Sequence, residues 1–589
     1  MNLEQLVSEG VVVAIKTLFD VDLPVDGIAL NETIKDYKGD LTVVVFPLTR
    51  HSKLSPEQTG QAIGEILKEQ VQVVEDFNVI KGFLNLEINN TYYINFLKNS
   101  CQDQTYGRAK EGRKIVLEYC GPNTNKPLHL GHIRNMLLGY STANVLKFAG
   151  NKVHKVNIYN DRGIAICKSM LAWQKFGNGE TPESTGMKGD HFVGKFYVAF
   201  DKYYKEEISA LVSNGATKEQ AEQEASLLRE AREMLLKWEQ GDKEILDLWN
   251  KMNAWCYEGF EETFKTLGVD FEKHYKESDY YLRGKELVEE GLAKDTFYKK
   301  ADDSVWVDLE DEGLDQKLLL RGDGTSVYIT QDMGIAEARY QDYQFDESIY
   351  VVASEQDYHF KVLQLVLEKL EKPYAKGIFH LSYGLVNLPD GRMKSREGTV
   401  VDADDLIKEM IATAESHTND LGKIDDFSEE ESKALYRDLA LGALKYFILK
   451  VNPKRSVIFN PEESIDFQGN TGPFIQFNYV RIQSLLRKQP IETIDYETIN
   501  LQSEEKELIK EIYKYPQIIK LAAKNYDISE VSNYAFSLAK LYSKFYAGTS
   551  ILGDTPSNTK YFRLQLSKWT GEVLQSAFDL LGIQMPERM

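Results

Sequence analysis

A chain of 589 residues is too long for one hydrophobic core, and a composition of 42% hydrophobic and 27% charged residues belongs to an ordinary globular protein. No stretch approaches the roughly 20 consecutive apolar residues of a membrane span, and four scattered cysteines, Cys101, Cys120, Cys167 and Cys256, form no paired zinc-binding pattern. The net charge of −21 leaves a nucleic-acid partner open, because such binding follows local basic patches rather than the total.

The amino terminus, MNLEQLVSEGVVVAIKTLF, lacks a basic leading region and a small-residue cleavage site, so the cytoplasm is the expected compartment. Residues 1–106 read as a small α+β domain. LTVVVFPL (41–48) is strand-like, and Ser55-Pro56-Glu57-Gln58 starts a helix, with Ser55 as cap, Pro56 in the first turn and Gln58 closing a capping box. VIKGFLNLEI is β-rich, and the polar run KNSCQDQTYGRAKEGRK (98–114) reads as a linker.

From residue 113 the pattern changes. KIVLEYC is a short apolar strand. IRNMLLGYSTANVLKFAG is a helix with Ile133, Leu137, Val145 and Phe148 on a roughly common face, stopped by Gly150, and KVHKVNIYN is the next strand. Strand, helix and strand with such short connections imply a βαβ unit and a parallel sheet. A charged helical insertion is expected at about 168–290, clearest in KEQAEQEASLLREAREMLLKWEQ. SVWVDL, SVYIT, SIYVVAS and GIFHLSY read as the second half of the sheet, giving a catalytic domain over 107–425. Beyond it, Ser428 and Glu431 form a capping box, and helices over about 473–488, 503–524, 527–547 and 558–582 make 426–589 a helical bundle.

The chemistry is concentrated in EYCGPNTNKPLHLGHIRNM (118–136). His129 and His132 sit where the first strand hands over to the crossover helix, and Gly131 lets a flat ring approach the backbone. Free N–H groups and the helix dipole there favour an anion, and two imidazoles can donate to phosphate oxygens as charge builds. The pair could also hold a metal with His154 or Asp161 as third ligand; with no clear third ligand nearby, no metal site is expected. LPDGRMKSREGTV (388–400) is a glycine-bracketed basic loop, whose Arg392, Lys394 and Arg396 suit a triphosphate that is gripped and released.

An HxGH motif near the start of a split parallel sheet and this loop near its end resemble the paired signatures of class I aminoacyl-tRNA synthetases. The chain is most similar to the arginyl-tRNA synthetase family, through EYCGPNTNKPLHLGHIRNMLLG, RGDGTSVYITQDMG (321–334), VVASEQDYHF (351–360), GRMKSREGT and the terminal LLGIQMPERM. The resemblance implies a Rossmann-like catalytic domain that uses ATP with Mg²⁺, L-arginine and tRNA(Arg), working as a monomer, with a first step that needs tRNA. It implies catalytic roles for Lys126, His129, His132, Arg392 and Lys394. ATP binding would involve His129, Gly131, His132, Met393 and Arg396. The arginine-contacting positions would be Glu118, Asn123, Tyr328, Asp332 and Gln356. Ser395 stands where the usual loop carries its second lysine, and the resemblance implies that Lys126 replaces that charge. YNDRG (159–163) departs from the family's GDWG-like turn at Arg162.

The planar arginine cation, with five donors, needs paired acceptors, which Glu118 and Asp332 supply. In 452–488, Lys454, Arg455, Arg481 and Arg487 are interleaved with Phe474, Phe477 and Tyr479, a combination that positions phosphates and stacks on splayed bases. Phe474, Tyr479, Arg481, Tyr561 and Met589 are the expected tRNA contacts. Residues 1–106 resemble the family's appended tRNA-elbow domain, and 426–589 its anticodon-binding bundle. A class I synthetase for another amino acid and a small-molecule adenylyltransferase with an HxGH motif are the alternatives. The first is disfavoured by the two carboxylates, the second by its having no use for the long helical end. A non-catalytic RNA-binding paralogue would be expected to have lost the histidines or the basic loop.

Overall fold

Ile115, Val116 and Leu117 expose no surface, so the strand Lys114–Glu118 is apolar on both faces, as a strand inside a parallel sheet must be. The computed structural model describes residues 2–389, 401–420, 426–553 and 555–589. It places this strand at the centre of five parallel strands, ordered Ile378–Tyr383, Glu347–Ala353, Lys114–Glu118, Lys152–Tyr159 and Lys273–Lys276. The chain steps outward through Lys152–Tyr159 and Lys273–Lys276, then returns to the other side of the central strand. The strand order reverses between Lys114–Glu118 and Glu347–Ala353, and in open parallel sheets ligands bind beyond the carboxyl ends of the strands at such a point. The crossover helix Leu130–Phe148 is buried on nearly all sides. Gly139 lets it approach the Tyr119 ring, which a Cβ would strike.

Two expected strands are absent from this sheet. SVWVDL forms Val305–Val307, the middle of a separate antiparallel sheet with Phe297–Lys299 and Lys317–Leu320. SVYIT opens the helix Tyr328–Tyr343 instead. Its β-branched residues suggest a strand, but Ile329, Met333 and Ala336 are buried at helical spacing and tertiary packing overrides propensity. The insertion is helical from Ile164–Phe176 to Lys243–Leu267. Within the expected 168–290, however, Lys273–Lys276 is a sheet strand; with Tyr275 its only fully buried residue, the lysine-flanked KHYK gives little strand signal.

The chain forms two compact units, one of residues 1–106, 485–513 and 541–570, the other of 107–484, 514–540 and 571–589. The first contains an antiparallel sheet ordered Leu30–Glu32, Leu41–Val44, Phe83–Ile88 and Val74–Ile80. Its helix Pro56–Gln70 carries the expected Ser55–Gln58 capping box. Lys506 and Lys510 each lie 3.0 Å from the Asp40 carboxylate and tie the helix Ser503–Tyr513 to this sheet. In the second unit, the Ser428–Glu431 capping box opens Glu429–Leu449. The single helix expected over 503–524 is broken at Lys514, because Pro516 lacks the N–H that would continue it.

Candidate active site

His129 caps the crossover helix in extended conformation. Its Nδ1 accepts the Gly131 N–H at 3.1 Å, while the His129 N–H donates to Nδ1 of His132, also at 3.1 Å. A ring nitrogen that accepts from an amide carries no proton, so each neutral imidazole holds its hydrogen on Nε2. The ring centroids are 3.8 Å apart. Burial, with help from Lys126, lowers the His129 pKa to about 4. Burial, His129 and Lys126 lower that of His132 well below its ordinary value. The pair is therefore two neutral Nε2–H donors rather than two cations.

This differs from the expected cradle of free amides. The Leu130 N–H donates to Val401 O at 3.0 Å, the Gly131 N–H to His129, and the His132 N–H to His129 O at 2.8 Å. These amides are already bonded, two within the turn and that of Leu130 to Val401, and the side chains are left as the donors for an anion. The Ala403 N–H completes a short ladder to Leu128 O at 3.0 Å, and His129 and Asp402 pair across it. Arg392, Met393, Lys394 and Arg396 lie outside the described residues. Lys126 is half-buried three residues before His129. Arg134, missed in the sequence, is wholly buried and donates to the Leu385, Pro453 and Arg455 carbonyls at 3.1, 3.0 and 2.5 Å. Its position one turn along the capped helix was the available signal.

The arginine-contacting positions reach the strand ends by different routes. Glu118 ends the central strand and accepts a charge-assisted hydrogen bond from Nη2 of Arg339, which has no exposed surface. Burial raises the Glu118 pKa against the pull of that guanidinium. Asn123 is exposed and pairs through its backbone with Asn160. Tyr328, 82% exposed, and Asp332 lie one turn apart on Tyr328–Tyr343, and Asp332 meets His359 Nε2 at 2.5 Å. Gln356 is exposed in the turn Ser354–Gln356 after the Glu347–Ala353 strand.

Glu277 was not found from the sequence. It directly follows the strand Lys273–Lys276, in the stretch read as insertion. Its pKa is pushed up to about 7 by burial, opposed by Arg162 and reinforced by Asp161 and Asp332. A carboxylate at the carboxyl end of a sheet strand is the signal that would have found it. Arg162 lies 4.2 Å from the Tyr281 ring centroid and 5.5 Å from that of Trp238, with Nη2 3.1 Å from Glu239. Gly163 follows at φ +105°, a conformation that side chains other than hydrogen rarely adopt.

Neither proposed third metal ligand joins the histidine pair. His154 bonds Glu272 at 2.8 Å, and Asp161 accepts from Ser278 and Tyr257 at 2.8–3.0 Å. Among the described residues, Asp190, His191 and Asp404 have the spacing of a metal set. The Lys188 ammonium lies 2.7 Å from Asp404 and 3.3 Å from Asp190, supplying the positive charge there. Of the expected tRNA contacts, Phe474, Tyr479 and Arg481 lie on Gly472–Lys488. Phe474 and Arg481 are seven residues apart and share a face, which Tyr479 does not. Phe474 packs 5.5 Å from Phe536, and Arg481 covers the Phe477 ring at 4.2 Å. Met589 also belongs to the second unit, and Tyr561 to the first.

A parallel sheet whose strand order reverses, with paired histidines at the start of its first crossover helix, is the arrangement expected of a class I aminoacyl-tRNA synthetase, and the sequence comparisons show that class. The family model described as tRNA synthetases class I (R), catalytic domain, matches residues 95–460, and the DALR anticodon binding domain matches 475–589. The arginine–tRNA ligase of Flavobacterium psychrophilum is 51% identical over 603 aligned residues, and that of Parabacteroides distasonis 52% over 597, each alignment covering 100% of both chains. The Thermus thermophilus arginyl-tRNA synthetase structure has the same fold, with a TM-score of 0.80, 22% identity and 100% coverage of both chains. The chain belongs to the arginyl-tRNA synthetase family.

Proposed function

We propose that the chain joins L-arginine to tRNA(Arg) at the expense of ATP. In the first step the arginine carboxylate attacks the α-phosphorus, and the bond to pyrophosphate breaks to give arginyl-adenylate. In the second a ribose hydroxyl of the terminal adenosine, the 2′-hydroxyl by resemblance to the class, attacks the carbonyl carbon and AMP leaves. No protein nucleophile is needed, and positioning with electrostatic stabilisation supplies the rate. Mg²⁺ accompanies the ATP phosphates and screens their charge.

The observation that carries this reading is the His129–His132 pair, each ring fixed through Nδ1 so that its hydrogen lies on Nε2, on the helix that follows the central strand at the strand-order reversal. They stabilise charge on the transferring phosphate, with Lys126 as the nearby described cation. In this reading Asp332, Glu277 and Glu118, the last also bonded to Arg339, are the acidic groups for a planar cation, with Asn123, Tyr328 and Gln356 as its polar contacts. Arg392, Met393, Lys394 and Arg396 complete the ATP set in this proposal. In this reading residues 1–106 contact the tRNA elbow, 107–425 catalyse and 426–589 bind the anticodon, with Phe474, Tyr479, Arg481, Tyr561 and Met589 as the proposed tRNA contacts. The enzyme works as a cytoplasmic monomer in this reading.

ATP–pyrophosphate exchange tests the function, with arginine, lysine or glutamate, each with and without tRNA. Exchange only with arginine plus tRNA supports arginine as the substrate and an RNA-dependent first step. Exchange with arginine but no tRNA keeps the substrate and removes the RNA requirement. Exchange with another amino acid overturns the substrate.

A further inference from the structure

One of the contacts between the insertion and the active site is a polar cluster. Lys188 immediately precedes the helix Gly189–Ser213, and His191 lies in its first turn. The Lys188 ammonium donates to Thr263 Oγ1 at 2.6 Å and to Asp404 Oδ2 at 2.7 Å, and lies 3.3 Å from Asp190. His191 Nε2 meets the same Asp404 oxygen at 2.9 Å and is 3.5 Å from Asp402. The other Asp404 oxygen accepts from Thr263 at 3.0 Å. Asp190 is wholly buried, and the remaining charged members are half-buried.

Asp404 is two residues beyond the ladder to the histidine motif. Asp402 pairs with His129, and its carboxylate caps the helix Ala403–Asp420 by accepting the N–H groups of Asp404 and Asp405 at 2.9 and 3.1 Å. The insertion helix touches the motif from a second direction. A Cβ at Gly194 would lie 2.8 Å from Pro127 Cδ and 3.5 Å from the Lys126 Cα, so the helix packs directly on Lys126–Pro127. The cluster thus holds one side of Leu128–Leu130 while Gly194 seats the residues before it.

Resting on the proposed adenylate-forming reaction, we propose that Lys188 and His191 are positioning residues for the His129–His132 pair. They act through Asp404, which holds residues 401–403 along Leu128–Leu130. Neither touches the reacting atoms. Charge strengthens the lock: the Asp404 hydrogen bond raises the His191 pKa against burial. Burial works to raise that of Asp404, but His191 and Lys188 hold it well below the usual carboxylate range. A donor displaced by about 1 Å costs up to roughly a hundredfold in rate without altering substrate binding elsewhere.

The test compares Asp404→Asn, His191→Ala, His191→Gln and Lys188→Met in ATP–pyrophosphate exchange with arginine and tRNA, alongside thermal unfolding. Asp404→Asn turns an NH₂ or a weaker acceptor toward the donors, His191→Ala deletes one donor, and His191→Gln restores an N–H at that end. The expected result is a kcat about tenfold or more lower for Asp404→Asn and His191→Ala, with the arginine KM within about twofold and folding retained. His191→Gln returns to within about threefold of the parent enzyme, and Asp404→Asn with Lys188→Met loses no more than Asp404→Asn alone. Parent-like kcat in Asp404→Asn and His191→Ala overturns the proposal. So does a loss that follows unfolding and is not rescued by glutamine. If the parent enzyme itself fails to use arginine, the functional reading fails instead.

Discussion

The main chain of His129 donates to Nδ1 of His132, and the His129 ring in turn accepts from Gly131, so the backbone fixes both imidazoles with their hydrogens on Nε2. The helix start that holds these rings also consumes the amides that would otherwise have met a phosphate. Two imidazole N–H groups remain there as donors, the ones the proposed reaction uses.

Because the His129 pKa lies near 4 and that of His132 well below 6.5, both rings stay neutral across about pH 6 to 8. The kcat of pyrophosphate exchange at saturating arginine and ATP should show no ionisation of this pair there. ¹⁵N chemical shifts should report the Nε2–H tautomer for both. His129→Phe removes a preorganised donor and should lower kcat roughly a hundredfold. The stability sign follows from the depressed values: the contribution is fully present above the unfolded histidine value and is lost as pH falls from there toward about 4. An acid titration of the melting temperature checks it.

If Glu277 is an acceptor for the arginine cation, as proposed, arginine binding acquires a pH dependence from it. With its pKa near 7, the carboxyl is largely neutral in mildly acidic solution, and only its ionised form attracts the substrate cation. The arginine KM should therefore fall as pH rises through about 7. Glu277→Gln should flatten that dependence and raise KM by about tenfold or more, the scale of a lost charged hydrogen bond. Without arginine the stability sign is opposite. The raised pKa means that the folded state binds more protons, so stability is fully present below the unfolded glutamate value and is lost as pH rises through the folded one. At pH values above it, Glu277→Gln should stabilise the free enzyme.

The histidine motif and its βαβ setting were legible because strand, glycine and helix cap are local in sequence. The capping boxes at Ser55 and Ser428 were legible for the same reason. The outer strand Lys273–Lys276 was not, since a four-residue edge strand flanked by lysines carries almost no alternating signal, and Glu277 was lost with it. Tyr328 was assigned to an apolar strand and instead is the exposed first residue of a helix, because its β-branched neighbours mimic strand composition. Arg339 escaped notice because its partner Glu118 is 221 residues away in the chain. Such a pairing exists only once the sheet is assembled.

Arg339→Met should test how far that ion pair supports the sheet. Arg339 is wholly buried, with its guanidinium 5.0 Å from the Tyr275 ring centroid and 5.3 Å from that of Tyr350. Removing it leaves Glu118 buried without its cation, a change worth roughly 3–5 kcal/mol of destabilisation. The second unit should unfold at a lower denaturant concentration. Glu118→Gln combined with Arg339→Met should recover part of the loss, because the uncompensated charge is gone. Recovery measured in a double-mutant cycle separates that charge effect from lost packing.

Ser395 stands where the usual loop carries its second lysine, and the family resemblance places that charge on Lys126. Ser395 cannot supply an ammonium, and Lys126 is close enough to depress the pKa values of both motif histidines. If its charge stabilises the departing pyrophosphate, Lys126→Ala should reduce the kcat of exchange about a hundredfold, while the arginine KM changes less than about twofold. Lys126→Arg should recover only part of the rate, because a planar fork does not reproduce a compact ammonium. The same alanine variant should let the His129 pKa rise from about 4, since a neighbouring positive charge has been removed. A histidine titration that moves upward while exchange stays at the parent rate would place Lys126 beside the pair and remove it from the chemistry.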